Sequence, residues 1–572
     1  MKSIRNSCFL VFVSSKLLHR AVGVIIIACG GIVCAQGVEA PPMTSFKPDT
    51  SLPKVSVPEF VITGKAQVDV ARFSKESTEI DSSYFQRKTL AGLRMDMPIS
   101  QSLSLQSSTS QWSNLFSTVS TGTYSTTSYL LSGNGEFDKI RLNGNMSGFY
   151  TSGFTPQTIR RDISIQAGIA KDIEVDQGAK TFNSAAVGYS RTSFFLYGTG
   201  IPDLLRTTNL INVGLHSDMN LGSFPLTAGL TFNGFSAQDY WKDVQNAVSL
   251  NLGTIFQMPS GNMKLSGVGR FGNHDASIAD TLISLHQINH SFYNAALGLE
   301  YSNNIGDFSY SIGMNYFQYA DDLSIGIAKL YPDLRGTYRV NDLVSLFTRF
   351  YGDVESPDLS TFFNENQYVD ADFPLRNSQI YADFTIGGDW IATQEILVTP
   401  KINIDASRYY PIFAGFPFSV IGADTNRADI QLLYANKATV LTASIVAQYK
   451  KDKFSADAAL NIRSGTADSL RSIPNLDPFD LTIGGNYEII PRFDFRAYVF
   501  VLSGRYSDLA LKSRLSSVWL LNFHLSYDLK LGRIPLEIFA DGKNVLDQRY
   551  YIWRGYQEFP IAIFIGLKSK IL

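Results

Sequence analysis

Apolar and polar residues alternate along most of the chain after about residue 87. In the segment 292–301, Tyr, Ala and Leu occupy the odd positions from 293 onward, and small or polar residues occupy most of the even ones. After a turn at 303–307, the segment 308–316 repeats the scheme with its apolar residues at even positions. Successive side chains of a β-strand point to opposite faces of the sheet. Each segment therefore predicts a strand with one apolar and one polar face.

The length and number of these segments favour strands that cross a membrane. The alternation recurs at 140–150, 210–221, 226–233, 479–489 and 519–529. The segments are about 9–13 residues long, whereas strands of soluble proteins average about 5–6. Aromatic residues stand near segment ends, as Tyr293 and Tyr301 do, and membrane strands carry such aromatic girdles at both interfaces. The pattern predicts an apolar face toward lipid and a polar face toward a lumen.

The connections between segments alternate between short and long. Short turns are expected near 98–101, 138–139, 222–225, 260–262, 303–307, 341–342, 452–453, 490–492 and 530–534, and long connectors at 112–126, 199–209, 272–291, 354–378, 465–478 and 505–517. Short periplasmic turns and long extracellular loops are typical of bacterial outer-membrane barrels. Both chain ends on the periplasmic side require an even strand number. We predict an all-β fold, a large antiparallel transmembrane β-barrel of about 22 strands. The segment 414–440 contains either an extra strand or a long loop, and the pattern does not distinguish the two.

The first 35 residues have the features of a signal peptide. Basic residues precede the apolar stretch 21–35, which is too short to span a bilayer comfortably. Cleavage after Ala35 is one alternative, and lipidation at Cys29 in a lipobox-like run is the other. All three cysteines of the chain lie in this leader. A chain cleaved after Ala35 would therefore contain no disulfide.

Residues 36–86 form a proline-rich tail, which we assign to the periplasm. Five prolines between 41 and 58 disfavour helix and central strand. The run Glu59, Phe60, Val61, Ile62, Thr63 follows and is prone to form a strand. It either packs within the fold or is offered to the sheet edge of a partner, to which it would bind through main-chain hydrogen bonds. The barrel is then expected to occupy residues 87–572.

Composition narrows the range of functions. Charged residues make up 17% of the chain, against about 25% in soluble proteins. The 45% of hydrophobic residues exclude a disordered chain. Acidic residues number 51 and basic ones 49, so nucleic acid is not expected as a partner.

The C-terminal residues resemble a known family. The run 541–551, Asp-Gly-Lys-Asn-Val-Leu-Asp-Gln-Arg-Tyr-Tyr, resembles the Asn-Asn-Leu-Phe-Asp-Lys-x-Tyr stretch in the last hairpin of TonB-dependent outer-membrane receptors. Gly555, Tyr556, Pro560 and the strand 561–567 resemble the closing segment of that family. The run Glu59–Gly64 looks like its TonB box. The departures are the stretch 64–86, too short for the plug domain of such receptors, and a C-terminal Leu572 where the family usually has Phe.

The resemblance implies an outer-membrane receptor or transporter-like barrel for uptake of a solute, without a plug. The implied partners are outer-membrane lipid, a TonB-type periplasmic protein bound at Glu59–Thr63, the barrel-assembly machinery and a small-molecule ligand. A passive porin and a structural or surface-docking barrel remain alternatives. Because a wide empty barrel would leak, its lumen is expected to be closed by inward-folded loops, by residues 36–86 or by a partner protein.

The candidates for chemistry are few, and we expect neither an enzyme nor a resident metal or cofactor. His274, His286 and His290 are expected in one long polar loop, and His216 and His524 on the polar face of strands. The loop 353–372 contains six carboxylates, which suit either a calcium ion or a solvated surface. The aromatic pairs Phe362–Phe363 and Tyr409–Tyr410 either stack on a ligand or pack the loops.

Overall fold

A computed structural model describes residues 114–571, apart from 138, 176–178, 200–202, 221–224, 279–286, 357, 372, 418–427 and 533. The signal peptide, the proline-rich tail, the run Glu59–Thr63 and the first 27 residues assigned to the barrel, 87–113, lie outside the described residues. The domain boundaries therefore remain predictions.

Twenty-two long strands form one antiparallel sheet. These barrel strands are β1 (Asn114–Gly122), β2 (Thr126–Phe137), β3 (Ile140–Thr151), β4 (Arg160–Val175), β5 (Ala179–Phe195), β6 (Leu205–Asn220), β7 (Pro225–Gln238), β8 (Trp241–Met258), β9 (Gly261–Ile278), β10 (Gln287–Ile305), β11 (Phe308–Asp321), β12 (Ser324–Arg339), β13 (Val344–Glu355), β14 (Ser378–Thr393), β15 (Ile396–Arg408), β18 (Ala438–Lys451), β19 (Phe454–Ala467), β20 (Phe479–Ile490), β21 (Phe493–Leu502), β24 (Val518–Leu531), β25 (Ile534–Lys543) and β28 (Ala562–Ile571). The long connections contain α1 (Leu359–Glu365), β16 (Tyr410–Pro417), β17 (Ala428–Ala435), β22 (Arg505–Tyr506), β23 (Arg514–Leu515), β26 (Tyr551–Trp553) and β27 (Tyr556–Gln557).

The sheet closes on itself between its first and last strands. β1 pairs with β2 on one side, and its residues Leu115 to Gly122 pair with Ile571 to Phe564 of β28 on the other. Every barrel strand thus has two neighbours, which leaves no open edge in lipid. The predicted number of 22 strands is confirmed, and the described strands complete the barrel from Asn114 onward.

The two ends of the barrel differ as predicted. Ten connections of two to four residues lie at one end together with Asn114 and Ile571, whereas the other end includes the connections 356–377, 409–437, 503–517 and 544–561. The short turns are periplasmic and the long loops extracellular. Gly306 lies in the turn between β10 and β11 and has a φ of 60°, a left-handed backbone conformation that glycine adopts without steric cost.

Three of the predicted connectors are wrong in detail, and one ambiguous segment is resolved. The segment 112–126 contains β1, whose Ser- and Thr-rich sequence hides the alternation. The connectors at 199–209 and 272–291 are shorter, because β6 begins at Leu205 and β9 continues to Ile278. The ambiguous segment 414–440 contains the β16–β17 hairpin and the start of β18, so it adds no barrel strand of its own between β15 and β18.

The outer face of the barrel is apolar and the inner face is mostly polar. Leu297 and Leu299 of β10 are 60% and 51% exposed on the outside, an exposure that water would penalise and lipid tails do not. The intervening residues face the lumen. At the extracellular border of this apolar surface stand aromatic residues, including Tyr150, Tyr189 and Phe271. None of the helices in the described ranges is long and apolar enough to span a bilayer.

Candidate functional site

The extracellular loops turn inward and form an apolar core inside the mouth of the barrel. We call this set of residues the loop core. Its buried members are Phe194, Leu196, Phe235, Ala237, Leu359, Phe362, Phe363, Tyr368, Val369, Ala371, Phe373, Leu375, Phe413, Ile430, Leu432, Phe500, Leu502, Val518, Leu520, Tyr550, Ile552, Trp553 and Tyr556. They come from lumen-facing strand positions and from the loops 196–204, 356–377, 409–437 and 544–561. Burial of so much apolar surface stabilises the inward arrangement of the loops.

Three loops meet through aromatic rings at the centre of the loop core. The rings of Tyr368 and Tyr556 stack with their centroids 3.7 Å apart, and Tyr197 contacts both edge-on at 6.1 and 5.3 Å. The Tyr197 hydroxyl donates to the carbonyl oxygen of Gln557 at 2.5 Å. A Cβ atom on Gly198 would lie 2.7 Å from the carbonyl oxygen of Gly555, so glycine permits this close approach. Burial raises the pKa of Tyr556 well above the usual value of a phenol, which keeps its hydroxyl neutral.

Arg206 fastens the loop 356–377 to the barrel wall. It projects from β6 into the lumen, and its side chain is only 1% exposed. Nε donates to Asp239 at 2.6 Å, and Nη1 donates to the carbonyl oxygens of Gln367 at 2.9 Å and Val369 at 2.5 Å. The guanidinium also lies 5.3 Å from the ring centroid of Phe363. One wall side chain thus holds two backbone carbonyls of the loop.

Arg270 and Gln245 hold the beginning of the same loop. Arg270 of β9 donates through Nη1 to the carbonyl oxygen of Ser356 at 2.6 Å and forms an ion pair with Asp358. The side-chain oxygen of Gln245, on β8, accepts a hydrogen bond from the backbone N–H of Leu359 at 2.8 Å. This N–H belongs to the first turn of α1, where backbone donors lack partners within the helix. The wall therefore caps and anchors α1.

His274 links the wall to the far end of the loop. Its Nε2 lies 2.8 Å from Oδ1 of Asp243, and its Nδ1 lies 2.6 Å from Oδ2 of Asp322. Asp322 Oδ2 also accepts the backbone N–H of Leu375 at 2.7 Å. The His274 and Asp243 side chains are fully buried. Two carboxylate contacts suit an imidazolium, in which both ring nitrogens are donors.

A similar contact closes the opposite side of the mouth. Arg505 of β22 is fully buried; it donates to Asp477 at 2.9 Å and to the carbonyl oxygen of Ile552 in the last long loop. Burial raises the pKa of the Asp477 carboxyl, and the charge of Arg505 opposes part of that rise. Arg505 therefore connects three extracellular loops.

Among the described residues, one small cavity lies at the edge of the loop core. It measures about 40 Å³ and is bordered by aromatic rings such as Phe154 and Tyr368 and by polar side chains such as Arg160, Gln367 and Gln557. Such a volume holds a water molecule or two but no solute. This cavity by itself therefore gives a solute no way through the loop core.

The structure resolves several alternatives left open by the sequence. Phe362 and Phe363 pack in the loop core, and Tyr410 is buried in a second apolar cluster. His274 lies in β9 and His290 in β10, not in one solvated loop, so that expectation is wrong for both; the environment of His274 is a buried pair of carboxylates. His286 lies outside the described residues.

The two lumenal histidines each contact a single carboxylate, and an aspartate of the acidic loop 353–372 pairs with an arginine of the wall. His216 contacts Asp218 at 3.0 Å and His524 contacts Asp541 at 2.7 Å, and each pair is partly exposed to the lumen. In the acidic loop, Asp358 is paired with Arg270. Within the described part of the chain, no group of three or more metal-ligating side chains is brought together. The predicted partner segment Glu59–Thr63 lies outside the described residues, so it stays a prediction.

Sequence reasoning missed Arg206, Arg270 and Arg505 altogether. The usable signal is weak. Arg206 occupies a polar-face position at the extracellular end of β6, Arg270 a polar-face position in the middle of β9, and Arg505 lies three residues after the end of β21. Nothing in a single sequence indicates which loop would cover them.

Comparison with known proteins shows the fold. No family model and no curated protein matches the chain. Among solved structures, the FrpB iron transporter from Neisseria meningitidis (F3-3 variant) is similar over 81% of this chain and 82% of its own, with 11% identity and a TM-score of 0.63. The copper transporter OprC aligns over 80% of both chains with 10% identity and a TM-score of 0.61. The siderophore receptor PiuA from Acinetobacter baumannii aligns over 81% of this chain and 82% of its own, with 11% identity and a TM-score of 0.58.

These similarities confirm the predicted architecture. The fold is that of the large TonB-dependent receptor barrels, and the chain is a bacterial outer-membrane β-barrel with a lipid-facing apolar surface. The three compared proteins are described as an iron transporter, a copper transporter and a siderophore receptor.

Proposed function

We propose that this protein takes up a solute through its barrel and that its own extracellular loops close the entrance. The observation that carries the proposal is the set of buried contacts by which Arg206, Arg270 and His274 tie the loop 356–377 to the wall. Buried ion pairs often contribute less to net stability than well-packed apolar residues would. They do specify one arrangement of the loop. They can also be exchanged for contacts with water or a solute when the loop leaves.

The lumen nearer the periplasm suits passage of a polar solute. Asp333 of β12 accepts hydrogen bonds from Arg335 and Arg349, and both arginine side chains remain accessible at 48% and 39%. The wall therefore offers both signs of charge together with hydrogen-bonding groups. In our scheme a solute contacts the aromatic and amide groups of the mouth, the loops part, and the polar wall lines its path.

We further propose that opening is coupled to a periplasmic TonB-type partner through the strand Glu59–Thr63. A short extended segment of this kind can add to the sheet edge of a partner. A Val61→Pro variant removes a backbone donor needed for such pairing. We expect it to lose capture of the energising periplasmic domain in a pull-down and to lose energised uptake. Uptake unchanged in Val61→Pro would favour a passive porin.

Single-channel conductance in planar bilayers tests what closes the barrel. In one variant, residues 359–375 are replaced by a short Gly-Ser linker, which removes α1 and Tyr368 but leaves the barrel strands intact. In a second variant, the tail 36–86 is deleted. We expect the full chain to be nearly closed, the loop variant to conduct strongly, and the tail variant to stay nearly closed.

The two deletions serve as controls for each other. Large conductance only after removal of 36–86 would assign closure to the tail and contradict closure by the loops. A large conductance already in the full chain would show that the lumen is open. Absence of conductance in every variant would favour a structural or surface-docking barrel. Heat-modifiable migration on gels checks that each variant has folded into a barrel.

A further inference from the structure

We propose that the outer surface of β4 and β5, at the extracellular border of the membrane, binds a phosphorylated lipid through Arg161 and Arg191. This site lies on the opposite side of the barrel wall from the lumen. It is independent of the transport proposed above.

The alternation along each strand places both arginines on the lipid side. On β4, the odd positions Ile163, Ile165 and Ile169 are exposed on the outside, and Arg161 continues that series. On β5, Arg191 follows the outward-facing Val187 and Tyr189 in the same way.

The register of the two strands makes the arginines neighbours. Arg161 pairs with Ser193, and Ile163 pairs with Arg191. Arg161 and Arg191 are therefore diagonal neighbours on one face, a relation that places Cα atoms about 7–8 Å apart. Two long guanidinium side chains at this spacing can reach the same phosphate group.

Tyrosines place this pair at the height of lipid headgroups. The guanidinium of Arg161 lies 5.6 Å from the ring centroid of Tyr150, its cross-strand neighbour on β3. The hydroxyl of Tyr189 donates to Asn209 of β6 at 3.1 Å. Tyrosine rings collect at the interface between hydrocarbon and water. On its own strand, Arg161 is the next outward-facing residue beyond Ile163 toward the extracellular end, and Arg191 is the next beyond Tyr189. This is the level at which headgroup phosphates lie.

The positive charges of this pair are not neutralised within the described part of the chain. Arg161 and Arg191 are exposed and have no carboxylate within ion-pair distance there. The adjacent Arg160 provides a contrast, because it faces the lumen and pairs with Asp162 at 2.8 Å. A guanidinium fork binds phosphate oxygens in a bidentate manner. The isoleucines below the pair offer an apolar surface for acyl chains, so the occupant we assign is a membrane lipid and not a free anion.

Native mass spectrometry of the full chain in detergent tests the proposal. The probes are lipid A with its phosphates, the same glycolipid with its phosphates removed, and inorganic phosphate as a competitor. One arginine near a membrane surface contributes roughly a factor of five in affinity for anionic lipid. We therefore expect the wild-type chain to prefer the phosphorylated lipid by about 30-fold, and Arg161→Gln/Arg191→Gln to lose that preference.

Lys171→Gln is the matched control. Lys171 also faces outward and is exposed on β4, but at the periplasmic end of the strand, so its loss should leave binding unchanged. Three results would overturn the proposal: equal binding by the double variant, equal binding of the dephosphorylated lipid, or displacement of the lipid by millimolar inorganic phosphate, which would indicate a site for soluble anions. Both substitutions are on the surface, and gel migration checks that the variant barrels have folded.

Discussion

Arg206 and Arg335 both project from the barrel wall into the lumen, yet their environments are opposite. Arg206, near the extracellular mouth, is 1% exposed and donates to Asp239 and to two loop carbonyls. Arg335, nearer the periplasm, is 48% exposed and shares Asp333 with Arg349. The same alternating strand pattern therefore supplies a structural clamp at one end of the lumen and a solvated wall at the other.

The difference arises because loops cover the wall at the mouth, whereas the wall nearer the periplasm stays exposed. Burial changes how much each charged side chain contributes to the stability of the fold. Removal of one partner from a buried ion pair costs about 3–5 kcal/mol, because the remaining charge stays buried without compensation. An exposed pair contributes only about 0–1 kcal/mol. Equivalent substitutions at the two ends of the lumen should therefore differ strongly in effect.

The largest effect is expected from Arg206→Ala. It leaves Asp239 without its charged partner and the carbonyls of Gln367 and Val369 without the guanidinium donor, at a cost of about 3–5 kcal/mol to the inward arrangement of the loop. Frequent channel openings in planar bilayers, and faster hydrogen exchange in 356–377, are the expected readouts. Arg206→Lys keeps the charge but loses the planar fork, and should lie between wild type and alanine. A closed, fully protected Arg206→Ala chain would contradict the role assigned to this clamp.

His274→Gln should have the next largest effect. A glutamine amide cannot supply charged donors to both Asp243 and Asp322, and hydrogen bonds to charged groups are worth about 1.5–3 kcal/mol each. We expect faster exchange of the Leu375 amide and a lower midpoint of urea unfolding. His524→Gln is the control, since the His524–Asp541 pair is partly exposed. An equal fall of the urea midpoint in both variants would show that the buried His274 contributes no more to stability than the partly exposed His524.

Tyr556 separates packing from hydrogen bonding in the loop core. Its hydroxyl is buried and has no hydrogen-bond partner among the described residues. Tyr556→Phe should thus leave the loops closed and stability within about 1 kcal/mol of wild type. Tyr556→Leu, which removes the stacking on Tyr368, should weaken closure by about 0.5–1.5 kcal/mol beyond the lost burial. The accessibility of Tyr368 to chemical labelling measures loop closure in both variants. A larger loss of protection in Tyr556→Phe than in Tyr556→Leu would show that the hydroxyl matters more than ring stacking.

The smallest effect is expected from Arg335→Gln. Arg349 continues to donate to Asp333 when Arg335 is lost, and the exposed pair contributes about 0–1 kcal/mol. The unfolding midpoint and the closed conductance should stay near those of wild type. Opening of the channel in this variant would mean that the periplasmic half of the lumen also takes part in closure.

Much of the architecture was accessible from the alternation alone. The predicted segment 479–489 corresponds to β20, and 519–529 corresponds to β24. On β24, Trp519 faces outward and His524 faces the lumen, as predicted. The strand β1 was missed, because its Ser and Thr residues are compatible with a loop. Only its pairing with both β2 and β28 identifies it as a barrel strand.

The candidate site could be predicted only in part. Aromatic residues in the loops suggested packing, and Phe362 and Phe363 indeed lie in the loop core. The loop carbonyls that Arg206 binds are 161 and 163 residues away along the chain, and the carboxylates that contact His274 are 31 and 48 residues away. No local pattern encodes such contacts, because loops of similar composition can fold inward or extend into solvent.

The alternation along the chain is enough to specify a closed membrane barrel of about 22 strands, since a period of two sets the face of every side chain and lipid forbids an open sheet edge. The packing of the extracellular loops at its mouth could be read only from the folded barrel. The direction of the extracellular loops depends on long-range burial and on charges that meet only when the strands are assembled. The same basic residue can therefore be a buried clamp, a lumenal surface charge or a contact for lipid, according to where the completed barrel places it.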